Sequence, residues 1–268
     1  MTPQLHYYQM DPAVTAFSTT RAGGVSTGPH SSLNINAYCG DTAEHVAANR
    51  EALTRELGIQ AGRIVVPHQV HGVESRRIGP HYFTLPSSAQ QNLIEGVDAV
   101  MTDVSQVAIG VSTADCIPVL LYDATHHAAA AVHAGWRGTL RHIIIRTIAE
   151  MRLQFATLPQ DIKAVIGPGI AKESFEVGDE VYDTFADERF DMQRIATKMP
   201  RMHADDAQPM KWHIDLKLCN RDDLQKAGVL AENIFDCAID TYEESDTFFS
   251  ARRLGINSGR IFTAIVLR

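Results

Sequence analysis

The sequence predicts an α+β fold, or a mixed α/β one, as a single domain over residues 1–268. Three observations carry that expectation. At 268 residues the chain is within reach of one large domain or two small ones and can bury a sizeable core. Short apolar runs bounded by turn residues are interspersed irregularly with stretches at helical spacing. No internal repeat, low-complexity segment or linker divides the chain, and such a mixture of short strands and separated helices belongs to one α+β or mixed unit.

From Phe17 to Asn36 a strand passes into a loop rich in glycine and hydroxyls, FSTTRAGGVSTGPHSSLNIN. Gly23 and Gly24 admit positive φ, which leaves two readings: an anion nest to which Arg21 adds a charged fork, or a surface turn. The spacing is neither that of a P-loop nor GxGxxG. Asp41-Thr-Ala-Glu44 fits a helix start with Asp41 as the cap. Val46, Arg50, Leu53 and Leu57 continue it at helical spacing, and Gly58 stops it. Ile64–Gly72, IVVPHQVHG, reads as a short strand. It would point His68 and His71 to opposite faces, so that at most one reaches a given site. Residues 79–96 read as a loop, and strands resume at Val97–Asp103 and Val107–Val111.

Val111–Thr139, VSTADCIPVLLYDATHHAAAAVHAGWRGT, holds the most chemistry. Its apolar runs Ile117–Tyr122 and Ala128–Val132 read as strands, joined by a solvent-exposed turn at His126-His127. Cys116 precedes the first run and His133 follows the second. Gly135-Trp-Arg-Gly138 then leads to a helix from about Thr139 to Arg152, with Leu140, Ile143, Ile144, Thr147, Ile148 and Met151 on its buried face. Lys163–Ile166 is a strand running into Gly167-Pro-Gly-Ile170, a turn that is either plain or an approach of backbone to a ligand. Phe175–Phe185 reads as a helix, residues 186–210 as a charged excursion, and Asp215–Gly228 as a helix. Phe248–Arg253, a glycine-containing turn and the strand Ile261–Leu267 close the chain.

A net charge of −8 argues against a general nucleic-acid binder. It leaves room for a small anion held by local arginines: Arg137 ahead of a helix N-terminus, or Arg252-Arg253. Neither a signal peptide nor a membrane span is expected, since the N-terminus lacks an apolar core and no apolar run approaches about 18 residues. Four cysteines without a CxxC read as a reduced, cytoplasmic protein.

His71, Cys116 and His133 stand at strand ends and admit three readings. Together they can bind zinc through three protein ligands, leaving the fourth position open, although their separations match no compact zinc-finger spacing. Cys116 can instead be a nucleophile with His133 as its base, though Asp115 beside it does not favour a thiolate. Or Cys116 is a small buried hydrophobe.

The segments FSTTRAGGVS, SLNIN, QVHG, VDAVMTD, TADCIPVLLYD, AVHAGWRG, IGPGI, SFEVGDEVY and FFSARR…SGR run in order from about Phe17 to Arg260. Jointly they closely resemble the YfiH/laccase-domain family, which is labelled polyphenol oxidase or multicopper oxidoreductase and is also associated with purine nucleoside metabolism. The resemblance implies a single layered α/β/β/α domain with mixed sheets, akin to the cytotoxic-necrotizing-factor deamidases. It implies a zinc ion on His71, Cys116 and His133 as the catalytic centre. Phosphorolysis of adenosine, inosine, guanosine and methylthioadenosine is the implied activity, with some adenosine deamination. Arg21, Asn36 and Arg137 are the implied substrate or phosphate contacts. Purine nucleosides and phosphate are then the partners, with no nucleic acid or membrane, and the chain a monomer or homodimer. Ala251 departs from the family's pattern, which often has an aromatic residue or histidine there, and residues 186–210 are unplaced. Twelve histidines include no His-x-His pair, so copper ranks below zinc, although one thiolate and two imidazoles suit both metals.

Overall fold

Two mixed sheets lie face to face between helices in the computed structural model, which describes residues 2–200 and 210–268. The chain begins with β1 (Leu5–Tyr8), β2 (Val14–Thr19), α1 (Ala43–Leu57), β3 (Ile64–Val65), β4 (Ser75–Arg77) and α2 (Ser87–Leu93). It continues through β5 (Ala99–Thr102), β6 (Ala108–Thr113), β7 (Ile117–Asp123), β8 (Ala128–Ala134), α3 (Trp136–Leu140), α4 (Ile143–Phe155) and β9 (Ile162–Ile166). The remainder is β10 (Glu176–Val177), α5 (Asp179–Asp187), α6 (Met192–Ile195), β11 (Ala196–Pro200), β12 (Met210–Ile214), α7 (Leu216–Lys226), β13 (Ile234–Asp236), α8 (Ala251–Leu254) and β14 (Ile261–Leu267).

The first sheet has the order β1-β2-β14-β6-β3 and the second β13-β9-β7-β8-β5-β4. Pairing is antiparallel except for β3–β6, β13–β9 and β4–β5. Strand alternation sorts the side chains into layers. Ala16, Ile109, Val111, Ile265 and Leu267 of the first sheet meet Val100, Leu120, Tyr122, Ala131 and Val165 of the second. On the outer face of the first sheet, Phe17, Phe262, Ala264 and Val266 are covered by Leu53 and Leu57 of α1. On the outer face of the second, Ile117, Val119, Leu121, Ala130 and Val132 are covered by Ile144, Ile148 and Met151 of α4 and by Leu216 and Leu224 of α7. The expected α/β/β/α layering with mixed sheets is the one observed. Ala128–Ala131 are wholly buried in β8, between a helix layer on one side and a sheet on the other. Side chains this small let both layers approach the strand in a close-packed interior.

Several elements differ from the sequence reading. The strand expected over 64–72 stops at Val65, since Pro67 has no N–H for a ladder, and His68 makes only an isolated bridge to Glu95. The expected loop at 79–96 contains α2. The helix expected from Thr139 starts at Trp136 and breaks at His142, whose φ is 54° and whose Nδ1 lies 3.0 Å from both carboxylate oxygens of Asp223 on α7. Residues 176–177 pair with β12 before a helix begins at Asp179. Part of the 186–210 excursion forms α6, β11 and the start of β12, in a small sheet β10-β12-β11, while residues 201–209 lie outside the described residues. Thr42, one residue later than expected, caps α1 by accepting the His45 N–H. Asp41 is drawn off to accept from Ser26 and Asn34. No helix among the described residues is long and apolar enough to cross a membrane.

Candidate functional site

Three side chains distant in sequence meet where the chain passes between the two sheets. Ala114-Asp115-Cys116 carries the chain from β6 of the first sheet to β7 of the second. Asp115 takes a positive φ of 90°. Its carboxylate accepts from the Thr241 hydroxyl at 2.8 Å and the Arg252 N–H at 2.7 Å, so its charge is engaged by the C-terminal segment. His133 lies near the end of β8, opposite Pro118 of β7. His71 sits in the connection from β3 of the first sheet to β4 of the second. One donor atom from each of His71, Cys116 and His133 lies within 4.8 Å of the others. The exposed His71 and half-buried Cys116 leave one side of the cluster accessible, with His133 buried behind them.

Asp98, fully buried just before β5, holds both histidines. One oxygen accepts from His133 Nδ1 at 2.8 Å, which leaves His133 Nε2 as the ring nitrogen for Cys116. The same carboxylate accepts the N–H groups of Val70, His71 and Gly72 at 3.2, 3.0 and 2.6 Å. Those bonds support His71 at a φ of 61°, a left-handed conformation costing on the order of 1–3 kcal/mol for a non-glycine residue. Asp98 was not singled out in the sequence. The signal for it was a carboxylate heading an otherwise apolar strand, where only a partnered one is tolerated. Gly135 is equally placed by packing: a Cβ there would lie 2.9 Å from Cys116 Sγ and 3.2 Å from His71 Cδ2.

The electrostatics favour a thiolate. Burial pushes the Cys116 thiol up, but the charge of His133 and hydrogen bonds from His133 and His71 outweigh it and hold it at about 6. Burial pushes His133 down, yet Cys116 and Asp98 hold it above the ordinary imidazole value. Asp98 stays below the usual carboxylate range despite its burial, through His133 and the N–H groups of Gly72 and Val70. One sulfur and two imidazole nitrogens form a donor set suited to zinc, and a carboxylate behind a histidine is the usual orienting partner of such a ligand.

The cluster opens into a cavity of about 250 Å³ whose wall includes Asn36, Tyr38, His68, Ser112, Thr113 and Arg260. The Ser112 and Thr113 hydroxyls are buried without a partner, and as neighbours on β6 they point to opposite faces of the strand. Both His68 and His71 line this cavity; the opposite-faces reading fails because the chain is not extended there. Of the three expected substrate contacts, Asn36 lies in the wall, while Arg21 and Arg137 are not among the lining residues. Arg21 donates to the carbonyls of Ser31 and Ser245 and lies over the Phe249 ring. Arg137 is exposed, 4.2 Å over Trp136. The nest reading of the Gly23-Gly24 loop is also overturned: the N–H groups of Gly24, Val25 and Ser26 go to Ser32 Oγ, Asn49 Oδ1 and the Ser32 carbonyl. Gly167–Ile170 packs against its own chain, where a Cβ on Gly169 would press on the end of the Ile117 side chain. Arg252 and Arg253 are held by the Glu176 carbonyl and the Tyr242 hydroxyl.

A family model described as multi-copper polyphenol oxidoreductase laccase matches residues 15–268. The chain belongs to that family. It is 41% identical over 254 residues to a purine nucleoside phosphorylase of Bacteroides thetaiotaomicron, covering 95% of this chain and 92% of that protein. It is 40% identical over 252 residues to adenosine deaminase RL5 from an unknown prokaryotic organism, covering 94% and 93%. Among solved structures, the hypothetical protein YfiH of Bacillus licheniformis superposes with a TM-score of 0.84 at 26% identity, over 98% of this chain and 99% of that one. Membership and layered fold thus agree with the resemblance drawn from the motifs.

Proposed function

We propose that the chain is, as one catalytic domain, a zinc-dependent purine nucleoside phosphorylase with accompanying adenosine deaminase activity. The observation that carries the reading is the convergence of His71, Cys116 and His133 within 4.8 Å at the floor of a polar cavity. The names of its relatives supply the substrate class. His71, Cys116 and His133 are the proposed ligands, and zinc, when bound, supplies Lewis acidity and a lowered pKa for water. Zinc is preferred to copper because the sequence has no His-x-His pair, while three protein ligands leave zinc its open fourth position. Asp98 fixes the His133 tautomer and the His71 turn, and Asn36 contacts the nucleoside. Arg21 and Arg137 reach substrate or phosphate only if their side chains leave their present partners. Arg260 lines the cavity, and we assign it to phosphate through the N–H groups left over from its bonds to the carbonyls of Ser258, Gly259 and Ile256.

A second reading has its own observation: Cys116, His133 and Asp98 form a thiol–imidazole–carboxylate series with a depressed thiol, the arrangement of a cysteine hydrolase. Elemental analysis of the purified protein separates the two, combined with release of free base from adenosine or inosine with and without phosphate. The phosphorylase reading expects close to one zinc per chain and phosphate-dependent base release, abolished in Cys116→Ala. Metal-free protein whose activity ignores chelators and is trapped by iodoacetamide would establish the hydrolase instead.

A further inference from the structure

The sequence singled out two histidines in PHQVHG, and the metal cluster uses only one. His68 lines the same cavity as His71 and Cys116. Its Nδ1 is 2.6 Å from Oε1 of Glu95, its backbone N–H is bonded to the Ile94 carbonyl at 3.0 Å, and Tyr38 stacks on its ring at 4.2 Å. The ring is therefore fixed in position and orientation, and Nε2 is the nitrogen left for a ligand. A carboxylate on Nδ1 sets which ring nitrogen is presented to a ligand for proton exchange.

Purine nucleoside cleavage needs such a group. A purine is a poor leaving group as an anion, and a proton delivered to its ring as the glycosidic bond breaks lets it leave neutral. The other lining residues are unsuited to giving that proton near neutral pH. His71, Cys116 and His133 are committed to the proposed metal. Burial pushes the Cys39 thiol and the Tyr38 phenol up. The Arg260 guanidinium is an arginine cation, bound to the carbonyls of Ser258, Gly259 and Ile256, and does not release a proton.

Resting on the phosphorylase reading above, we propose that His68 is the general acid that protonates the leaving purine, with Glu95 as its positioning residue. A phosphate oxygen forms the new bond to C1′ of the ribose. The C1′–N9 bond breaks with its electron pair passing into the purine, and the proton on His68 Nε2 moves to purine N7. The products are ribose 1-phosphate and neutral purine; His68 regains its proton from water.

The test compares substrates that need this proton with substrates that do not. 7-Methylguanosine already carries the positive charge on its base, and 4-nitrophenyl ribofuranoside leaves as a stable phenolate. Wild type, His68→Asn and Glu95→Gln are assayed with phosphate on inosine and on these two, with bound metal measured on each protein. In His68→Asn, turnover of inosine should fall by about 10²–10⁴-fold, while the better of the two activated substrates loses less than about threefold. Glu95→Gln should show the same selectivity at roughly tenfold, with metal content unchanged in both. Equal losses on all substrates, or no loss on inosine, would overturn the assignment. So would a wild type that uses inosine but neither activated substrate, since the acid would then not be what limits them. A wild type with no phosphate-dependent turnover of any of the three defeats the phosphorylase reading itself, and the assignment with it.

Discussion

Asp98 holds His133 through its imidazole and His71 through its backbone, so one carboxylate sets the spacing of two proposed ligands. An amide at this position presents an NH₂ where an acceptor oxygen stood, facing donors that have no other partner. Asp98→Asn should lower zinc affinity by about 10–100-fold, as loss of an orienting partner does, read by competition with a chromogenic chelator. Unchanged affinity would remove Asp98 from the site. Cys116 supports a second prediction, on metal-free protein. Thiolate is the reactive form and is the deprotonated one, so alkylation accelerates as pH rises through the thiol's pKa. With that value held at about 6 rather than 9.0, iodoacetamide labelling of Cys116 should reach its plateau by about pH 7. Cys219 and Cys237, pushed up by burial, should remain unlabelled there, as peptide mapping can show. A midpoint near 9 would mean that His133 and His71 do not act on the sulfur. Cys116 and His133 were legible because each abuts an apolar strand. Asp98 was not, because its function depends on a turn 26 to 28 residues away.

At the scale of elements, α3 begins against the His71–Cys116–His133 cluster itself. Gly135 precedes it with a φ of −67°, which alanine adopts without strain, so Gly135→Ala tests contact rather than backbone freedom. A methyl 2.9 Å from Cys116 Sγ forces the sulfur or α3 to move. Bound zinc should drop by about tenfold or more, with the far-UV circular dichroism of the wild type retained; full zinc occupancy would show that the helix can yield. β8 lies under α4, and Ala130 faces that helix layer with no exposure. Ala130→Leu should overpack it and cost about 1–3 kcal/mol, measured by urea unfolding. The helix α7, with its Asp215 cap, and the β7–β8 hairpin were legible because local chemistry alone specifies them. The break at His142 was not, since the side chain that stabilises it, Asp223, arrives from α7. Nor was the β10-β12-β11 sheet, whose strands are short and whose pairing joins segments that carry no alternating pattern of their own.

For the whole molecule, the placement of the proposed ligands makes the metal a tie between layers. His71 lies in the connection from the first sheet to the second, Cys116 in another such connection, and His133 on a strand of the second. No recurring period in the sequence could announce this, because the meeting of two inter-sheet connections beside the end of β8 is a property of topology. A ligand that binds only the folded chain stabilises it by mass action, by about 2.7 kcal/mol at a free concentration 100 times its dissociation constant. For a chain of this size that corresponds to a rise in midpoint of roughly 5–10 °C. Chelated protein should therefore unfold that much lower than protein in excess zinc, and the difference should grow with zinc concentration. Cys116→Ala should lie near the chelated value and respond to neither treatment. A variant that still gained several degrees from zinc would place the metal elsewhere. A wild type that gained nothing would mean that the cluster does not hold zinc, leaving the thiol–imidazole–carboxylate series as the chemistry of the site.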